Sequence, residues 1–500
     1  MITQLNLVIP EIILILNYVI LIIYFGLYTI SKKYKYIISY KQNVSMPILV
    51  LVITVLLEIH YPYNTHFIFD NMLITNNYIN YIKILTNITT IIICASSYVY
   101  IKNLKLNNFE TYILILSIQI GVLILLMANN TILLYLSLEL ITITIYILVA
   151  LNKMNNYSIE AGLKYFIVGA VSSGIFLIGL SILYGTTGMI NINDLYLYTN
   201  SYCGSPQNYS TLIDFYLLLS FLFIVTSLLF KIYSAPFHLW ISDIYQGAPL
   251  HVLGYISTVP SLVNAIILIK YLEIYNNLYP ASYIILFFAI VSIICGSIGA
   301  LIQRKVKRLL AYSSISHVGY FMIAISIYLA NNTLGLFTFF FYYSLYLVNL
   351  MLLFSQLLQN VNYKDRHNKH SLDQINDYKG MFNQNSYYIF TFVIVLFSIA
   401  GIPPFIGFFG KLYLIMSMIT VSYSLYLQIF FIIMAVISCY YYLNIVKNIY
   451  FNMNNTYYFI KQNIINNTII MIIVGFLILF VFIMNDISII IYNLIFSYIG

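Results

Sequence analysis

Apolar residues along this chain come in long runs, not in the two-residue alternation of a half-buried strand or the narrow stripe of a soluble amphipathic helix. A helix needs about 20 such residues to cross hydrocarbon about 30 Å thick. Fourteen stretches reach that length: 5–30, 45–62, 83–100, 111–128, 131–151, 163–186, 213–240, 250–271, 282–302, 308–328, 333–358, 386–418, 424–446 and 466–494. The fold class they predict is an all-α polytopic membrane protein with about 14 spanning helices, 45–62 having the weakest pattern.

Two of these stretches are too long and are interrupted. The seventh contains LLFKIYSAPFHLW, with Lys231 and then Pro236; the twelfth contains SIAGIPPFIGFFGKLYL, with Gly401, Pro403, Pro404, Gly407 and Gly410 before Lys411. Proline removes a helix donor and clashes with the preceding turn, so each span is expected to break there, freeing backbone groups that need partners or water. The breaks lie five spans apart in segments predicted to run in opposite directions. Helices 4–8 and 9–13 therefore read as two inverted five-helix repeats, although no obvious residue identity links the halves. The organisation expected is helices 1–3 over residues 1–108, a first repeat over 109–271, a second over 272–446 and a last helix over 447–500.

Composition agrees with the pattern: 62% of the 500 residues are hydrophobic and 7% charged, too few charges to cover a water-soluble body of this size. The net charge of +8 is explained by topology. With the amino terminus outside, 18 of the 22 basic residues fall in inside connections, as the retention of Lys and Arg on the synthesis side requires. Those are Lys32, Lys33, Lys35, Lys41, Lys102, Lys105, Lys153, Lys164, Arg304, Lys305, Lys307, Arg308, Lys364, Arg366, Lys369, Lys379, Lys447 and Lys461. Only Lys83 and Lys270 fall outside, and Lys231 and Lys411 lie within spans. No basic block with interleaved aromatics suggests nucleic acid. The run RKVKRLLAYSS (304–314) either fixes orientation or binds anionic lipid such as cardiolipin, orientation being favoured. No Lys or Arg precedes Lys32, so neither a signal nor a transit peptide is expected. Abundant Ile, Asn and Tyr, with three Arg against nineteen Lys, resemble an AT-rich organellar coding sequence.

A charge at the bilayer centre costs at least about 2.5 kcal/mol, so each one needs a partner or a water-filled cavity. Glu139 lies roughly 12 Å along the fifth span, and Lys231 and Lys411 sit beside the two breaks. Glu58 and Glu11 are the other acids at comparable depth. A lysine held between desolvation and a carboxylate can take and release a proton, which makes Glu139 and Lys231 a candidate proton-carrying pair. The alternative is a static ion pair that holds two helices together. His238, His251 and His317 could relay protons, His317 best, or serve as hydrogen-bonded core residues. The aromatic residues read as lipid-facing and interfacial bulk. Four scattered cysteines without a CxxC pair offer no iron–sulfur or zinc site. The polar stretches 187–213 and 359–385 read as loops with no phosphate cradle and no nucleophile elbow.

Four segments carry a resemblance: LSLEL (136–140), FKIYSAPFHLWISDIYQGAP (230–249), KRLLAYSSISHVGY (307–320) and GIPPFIGFFGKLYL (401–414). Together they resemble the antiporter-like membrane subunits of respiratory complex I, and their order, the spans and the paired breaks extend the likeness over most of the chain. The resemblance implies a core membrane-arm subunit of a proton-pumping NADH:ubiquinone oxidoreductase in the mitochondrial inner membrane. Its partners would be other membrane-arm and accessory subunits and membrane lipids. FMN, iron–sulfur clusters and ubiquinone would belong to other subunits. By the same resemblance Glu139 is the fifth-helix glutamate, Lys231 the broken seventh-helix lysine and Lys411 the twelfth-helix lysine. Lys164, in GLKYFIVGA, matches the sixth-helix lysine.

One departure matters. The family usually has a lysine after the proline of the eighth span, where this chain has Ser261 after Pro260. A hydroxyl holds no charge, so a link from Lys231 toward Lys411 would need water, His251, His317 or another subunit. Ser242 and Gln246 are smaller departures, at positions where the family tends to have Pro and Glu. Two rival readings follow: a cation/proton antiporter subunit, and a structural spacer of the membrane arm with an inactive proton path.

Overall fold

The computed structural model describes residues 2–499 except 31–39, 61–64, 104–108, 204–210, 277, 331, 360, 366–367, 372, 384–385, 422 and 452–463. Lys32, Lys33, Lys35, Lys105, Arg366 and Lys461 lie outside the described residues. Among the described residues the chain is helical apart from two short hairpins and the connections. Its helices are α1 (Ile2–Leu7), α2 (Ile9–Ile30), α3 (Tyr40–His60), α4 (Asn77–Asn103), α5 (Glu110–Met127), α6 (Thr131–Val149), α7 (Asn156–Thr187), α8 (Ile192–Cys203) and α9 (Thr211–Lys231). They continue as α10 (Leu239–Gly247), α11 (Leu250–Tyr275), α12 (Ala281–Ile302), α13 (Val306–Leu329), α14 (Leu334–Leu357), α15 (Ser386–Ala400), α16 (Ile406–Thr420), α17 (Leu425–Phe451) and α18 (Ile464–Ile499).

Every predicted apolar stretch falls on a helix or on a broken pair. Among the described residues twelve helices are long and apolar enough to cross a membrane; α15 and α16 are each shorter, and α18 qualifies only as a bent pair. The stretches expected to be loops hold some structure: α8 lies within 187–213, and the strands Val361–Asp365 and Asn368–Ser371 pair within 359–385.

Helix ends follow local chemistry. Asn130 and Asn155 cap α6 and α7 by accepting from the backbone N–H of Ile132 and Tyr157, which satisfies donors that a helix start leaves open. Gly188, at φ 68°, closes α7. Between α3 and α4 the strands β1 (His66–Ile68) and β2 (Leu73–Thr75) form an antiparallel hairpin.

By its contacts the chain divides into two units. Unit 1 holds residues 1–231, 258–279 and 494–500; unit 2 holds 232–257 and 280–493. In unit 1, α3 packs along α4, α5 along α6 and α7 along α9. In unit 2, α12 packs along α13 and α14 along α16. The α12–α13 approach depends on Gly296, where an added Cβ would lie 2.5 Å from Ser316 N. Small residues of this kind let helices pack closely where no hydrophobic effect drives them together.

Other expectations change as well. Lys83 and Lys270 are not loop residues: α4 begins before Lys83 and α11 runs past Lys270. Each is accommodated because it has partners, Glu11 for Lys83 and the carbonyls of Leu126 (3.1 Å) and Ala128 (3.3 Å) for Lys270. Lys41, Lys102, Lys164, Lys307, Arg308 and Lys447, assigned to connections from the sequence, likewise lie within helices. The tyrosines, read as lipid-facing bulk, include nine of the largest fully buried side chains, among them Tyr245, Tyr271, Tyr320 and Tyr442.

Candidate functional site

Unit 1 brings Glu139 and Lys231 into one electrostatic neighbourhood. Lys231 is the last residue of α9, where the chain leaves the helix through residues 232–238 and Tyr233 takes the left-handed φ of 52°. That is a conformation side-chain-bearing residues rarely adopt. The last carbonyls of a helix lack intrahelical donors, and Asn264 of α11 supplies one, Nδ2 lying 3.5 Å from Lys231 O. A cation at this end also meets the negative pole of the helix.

The Lys231 ammonium is sealed from solvent and makes no hydrogen bond among the described residues. It lies 5.6 Å from the centre of the Phe176 ring. Phe176, on α7, is fully buried, stacks with Tyr135 and meets Tyr271 edge-on. Glu139, half-buried on α6, acts on Lys231 electrostatically, and its Oε1 is sealed without a hydrogen-bond partner. No direct ion pair joins the two among the described residues. The expected contact pair is therefore an open arrangement: a cation on a ring face, a carboxylate within its field, and unfilled hydrogen-bonding capacity on both.

Unit 2 builds a second lysine site at the other break. α15 ends at Ala400 and α16 starts at Ile406. Lys411, 6% exposed, turns back to donate to Ala400 O at 2.7 Å and to Ser438 Oγ at 3.3 Å. It therefore satisfies a carbonyl that the broken helix leaves open. Cys439 Sγ donates to the same oxygen at 3.2 Å. Gly401 has φ 87°, a conformation that favours glycine, and a Cβ there would stand 3.0 Å from Lys411 Nζ and press on the end of that side chain.

Lys411 Nζ also lies 5.6 Å from the Tyr320 ring centre and within the field of His317. His317 Nδ1 shares a 2.7 Å hydrogen bond with the Tyr342 hydroxyl, and its ring stacks on Tyr346 at 4.5 Å. Tyr346 in turn lines a cavity with Tyr245, Ser257, Ser313, Ser314 and Tyr442, with room for about one water. These tyrosines and Ser438 had no signal in sequence, because an aromatic residue in an apolar run looks the same whether it faces lipid or core.

The remaining expected residues are placed differently. Lys164 is exposed on α7 and pairs with Glu160 at 2.7 Å. His251 is buried on α11 in the field of Lys307, whose Nζ donates to Ala248 O at 3.1 Å. His238 lies in the first break with its ring 6.3 Å from that of Tyr312. Ser261 is buried, and its hydroxyl donates to Thr258 O at 3.1 Å. Arg308 pairs with Asp243 at 3.0 Å. Among the described residues no three His, Cys, Asp or Glu side chains are grouped to hold a metal ion.

Residues 128–438 match the family model described as NADH:quinone oxidoreductase/Mrp antiporter, transmembrane. The chain is 34% identical over 480 residues to NADH-ubiquinone oxidoreductase chain 2 of Marchantia polymorpha, covering 95% of this chain and 94% of that one. It is 32% identical over 459 residues to NADH-quinone oxidoreductase subunit N of Bartonella bacilliformis, covering 90% and 89%. Its fold is similar to a chain of respiratory complex I from Thermus thermophilus, with TM-score 0.76 and 20% identity over 96% of this chain and 98% of that one.

Proposed function

Because this chain belongs to the NADH:quinone oxidoreductase/Mrp antiporter transmembrane family, we propose that it is the subunit N, or chain 2, member of the membrane arm of a proton-pumping NADH:ubiquinone oxidoreductase. Within that complex it translocates protons, while electron transfer and its FMN, iron–sulfur and quinone chemistry take place in other subunits. The observation that carries the reading is one device built twice. In each unit a helix stops at a break that has a buried lysine: Lys231 ends α9 with its ammonium sealed and unbonded among the described residues, and the Lys411 ammonium closes the carbonyl end of α15. A buried amine that can be charged or neutral is a proton carrier, and a broken helix supplies the backbone groups and the water access that such a carrier needs.

Lys231 exchanges between Glu139 and the hydrated interior of unit 1. Lys411 gives or receives a proton through Tyr320, His317, Tyr342 and the hydroxyl-lined cavity of unit 2. The lysine order at the two breaks, before the prolines in one and after them in the other, fits two inverted repeats. Neighbouring subunits drive the cycle by moving charge toward or away from Glu139. The AT-rich composition and the plant relative favour the mitochondrial inner membrane. The spacer reading has one observation in its favour, the neutral Ser261.

Affinity capture of the tagged chain under mild solubilisation tests membership. NADH-oxidising, quinone-reducing activity should co-purify with it. Recovery in a multi-subunit assembly devoid of that activity would favour a cation/proton antiporter instead.

A further inference from the structure

The first membrane helices carry a charged group that the two lysine sites do not use. Glu11 of α2, Glu58 of α3 and Lys83 of α4 are 3%, 0% and 1% exposed. Lys83 Nζ donates to Glu11 Oε1. Both carboxyl oxygens of Glu58 lie 2.9 Å from one donor, Asn87 Nδ2, and Gln119 of α5 donates to Asn87 Oδ1 at 2.7 Å. Glu58 feels Lys83 and Glu11 electrostatically. Among the described residues the ionisable groups acting on Glu58 are therefore Glu11 and Lys83, while α5 presents the neutral Gln119.

The charge count does not close. Among the described residues two carboxylates and one ammonium leave one negative charge buried, and a buried unpaired charge is neutralised in preference to being kept. Two acids sharing one site are the standard case in which one holds a proton. Glu11 Oε2 is sealed and accepts no hydrogen bond among the described residues, an open acceptor in the same cluster. The cluster lies near the start of α2, the end of α3 and the start of α4. It is thus within about 10 Å of those helix ends, a short route to water.

We propose that Glu11, Glu58 and Lys83 form a proton-binding site, with Glu58 carrying the proton while Lys83 pairs with Glu11. When that proton moves to Glu11, Glu58 becomes the carboxylate and Lys83 changes partner, so the net charge of the cluster stays at zero. Release to water leaves the cluster one charge negative until it is refilled.

Infrared difference spectroscopy on the lipid-reconstituted complex tests this at neutral pH. Wild type should show a deuterium-sensitive protonated-carboxyl C=O band that Glu58→Gln loses, with assembly intact because the side chain replaced is already neutral. Glu11→Gln should lose the band as well, since Lys83 then balances Glu58 alone. A band that survives in either variant would overturn the proposal, as would its absence from wild type. Failure of Glu58→Gln to assemble while Glu11→Gln assembles would likewise mean that Glu58 is needed as an anion.

Discussion

Lys411 shows what one side chain must do to live in an apolar interior. Its ammonium closes the open end of α15 through Ala400 O and lies over the ring of Tyr320. Arginine would keep that charge, but it is larger, stays protonated and cannot hand a proton on. Lys411→Arg should therefore leave the complex assembled and abolish proton pumping and coupled turnover; retained turnover would mean that only the charge matters. Gly401→Ala should lower thermal stability by about 1–2 kcal/mol, the cost of a left-handed residue bearing a Cβ, and slow turnover by pushing Lys411 away from Ala400. Tyr342→Phe removes the hydroxyl bonded to His317. It should cost about 1–3 kcal/mol by leaving a buried polar group unsatisfied, and it should slow coupled turnover; unchanged turnover would remove His317 from the path. At this scale Glu139, Lys231 and Lys411 stood out in the sequence because a lone charge in an apolar run must be explained. Tyr320, Tyr342 and Tyr346 did not, because nothing local distinguishes a tyrosine facing lipid from one packed on a histidine.

Helices were legible where length and hydropathy decide the outcome, and their breaks were legible where proline and glycine do. The chain leaves α9 directly after Lys231, and the gap between α15 and α16 holds Gly401, Pro403 and Pro404. Helix ends were less legible. Lys83 and Lys270 looked like loop charges because the apolar run stops near them, yet the helices continue, held by partners 72 and about 140 positions away in sequence. Such pairings leave no trace in local periodicity. Lys270 is a cation at the C-terminal end of α5, where the carbonyls of a helix lack donors. Lys270→Met should destabilise the assembled complex by about 1–3 kcal/mol, read as a lower thermal midpoint, with Lys270→Arg restoring part of it. No change in midpoint would mean that water replaces the ammonium at no cost.

As a whole, the molecule is two units, each with a sealed lysine beside a helix break, in a chain whose relatives are complex I subunits over about nine-tenths of their length. Ser261 and Gln246 both stand where the resemblance leads one to expect a charge, and Ser261 does so between the two lysine sites, so the central question is whether this chain carries protons or only fills the membrane arm. The most direct measurement is NADH-driven proton uptake into vesicles containing the intact complex, with Lys231→Ala compared against wild type at matched assembly. A translocating unit predicts that the variant assembles and loses both pumping and coupled turnover. Unchanged pumping and turnover in the variant would contradict it and make this chain a scaffold.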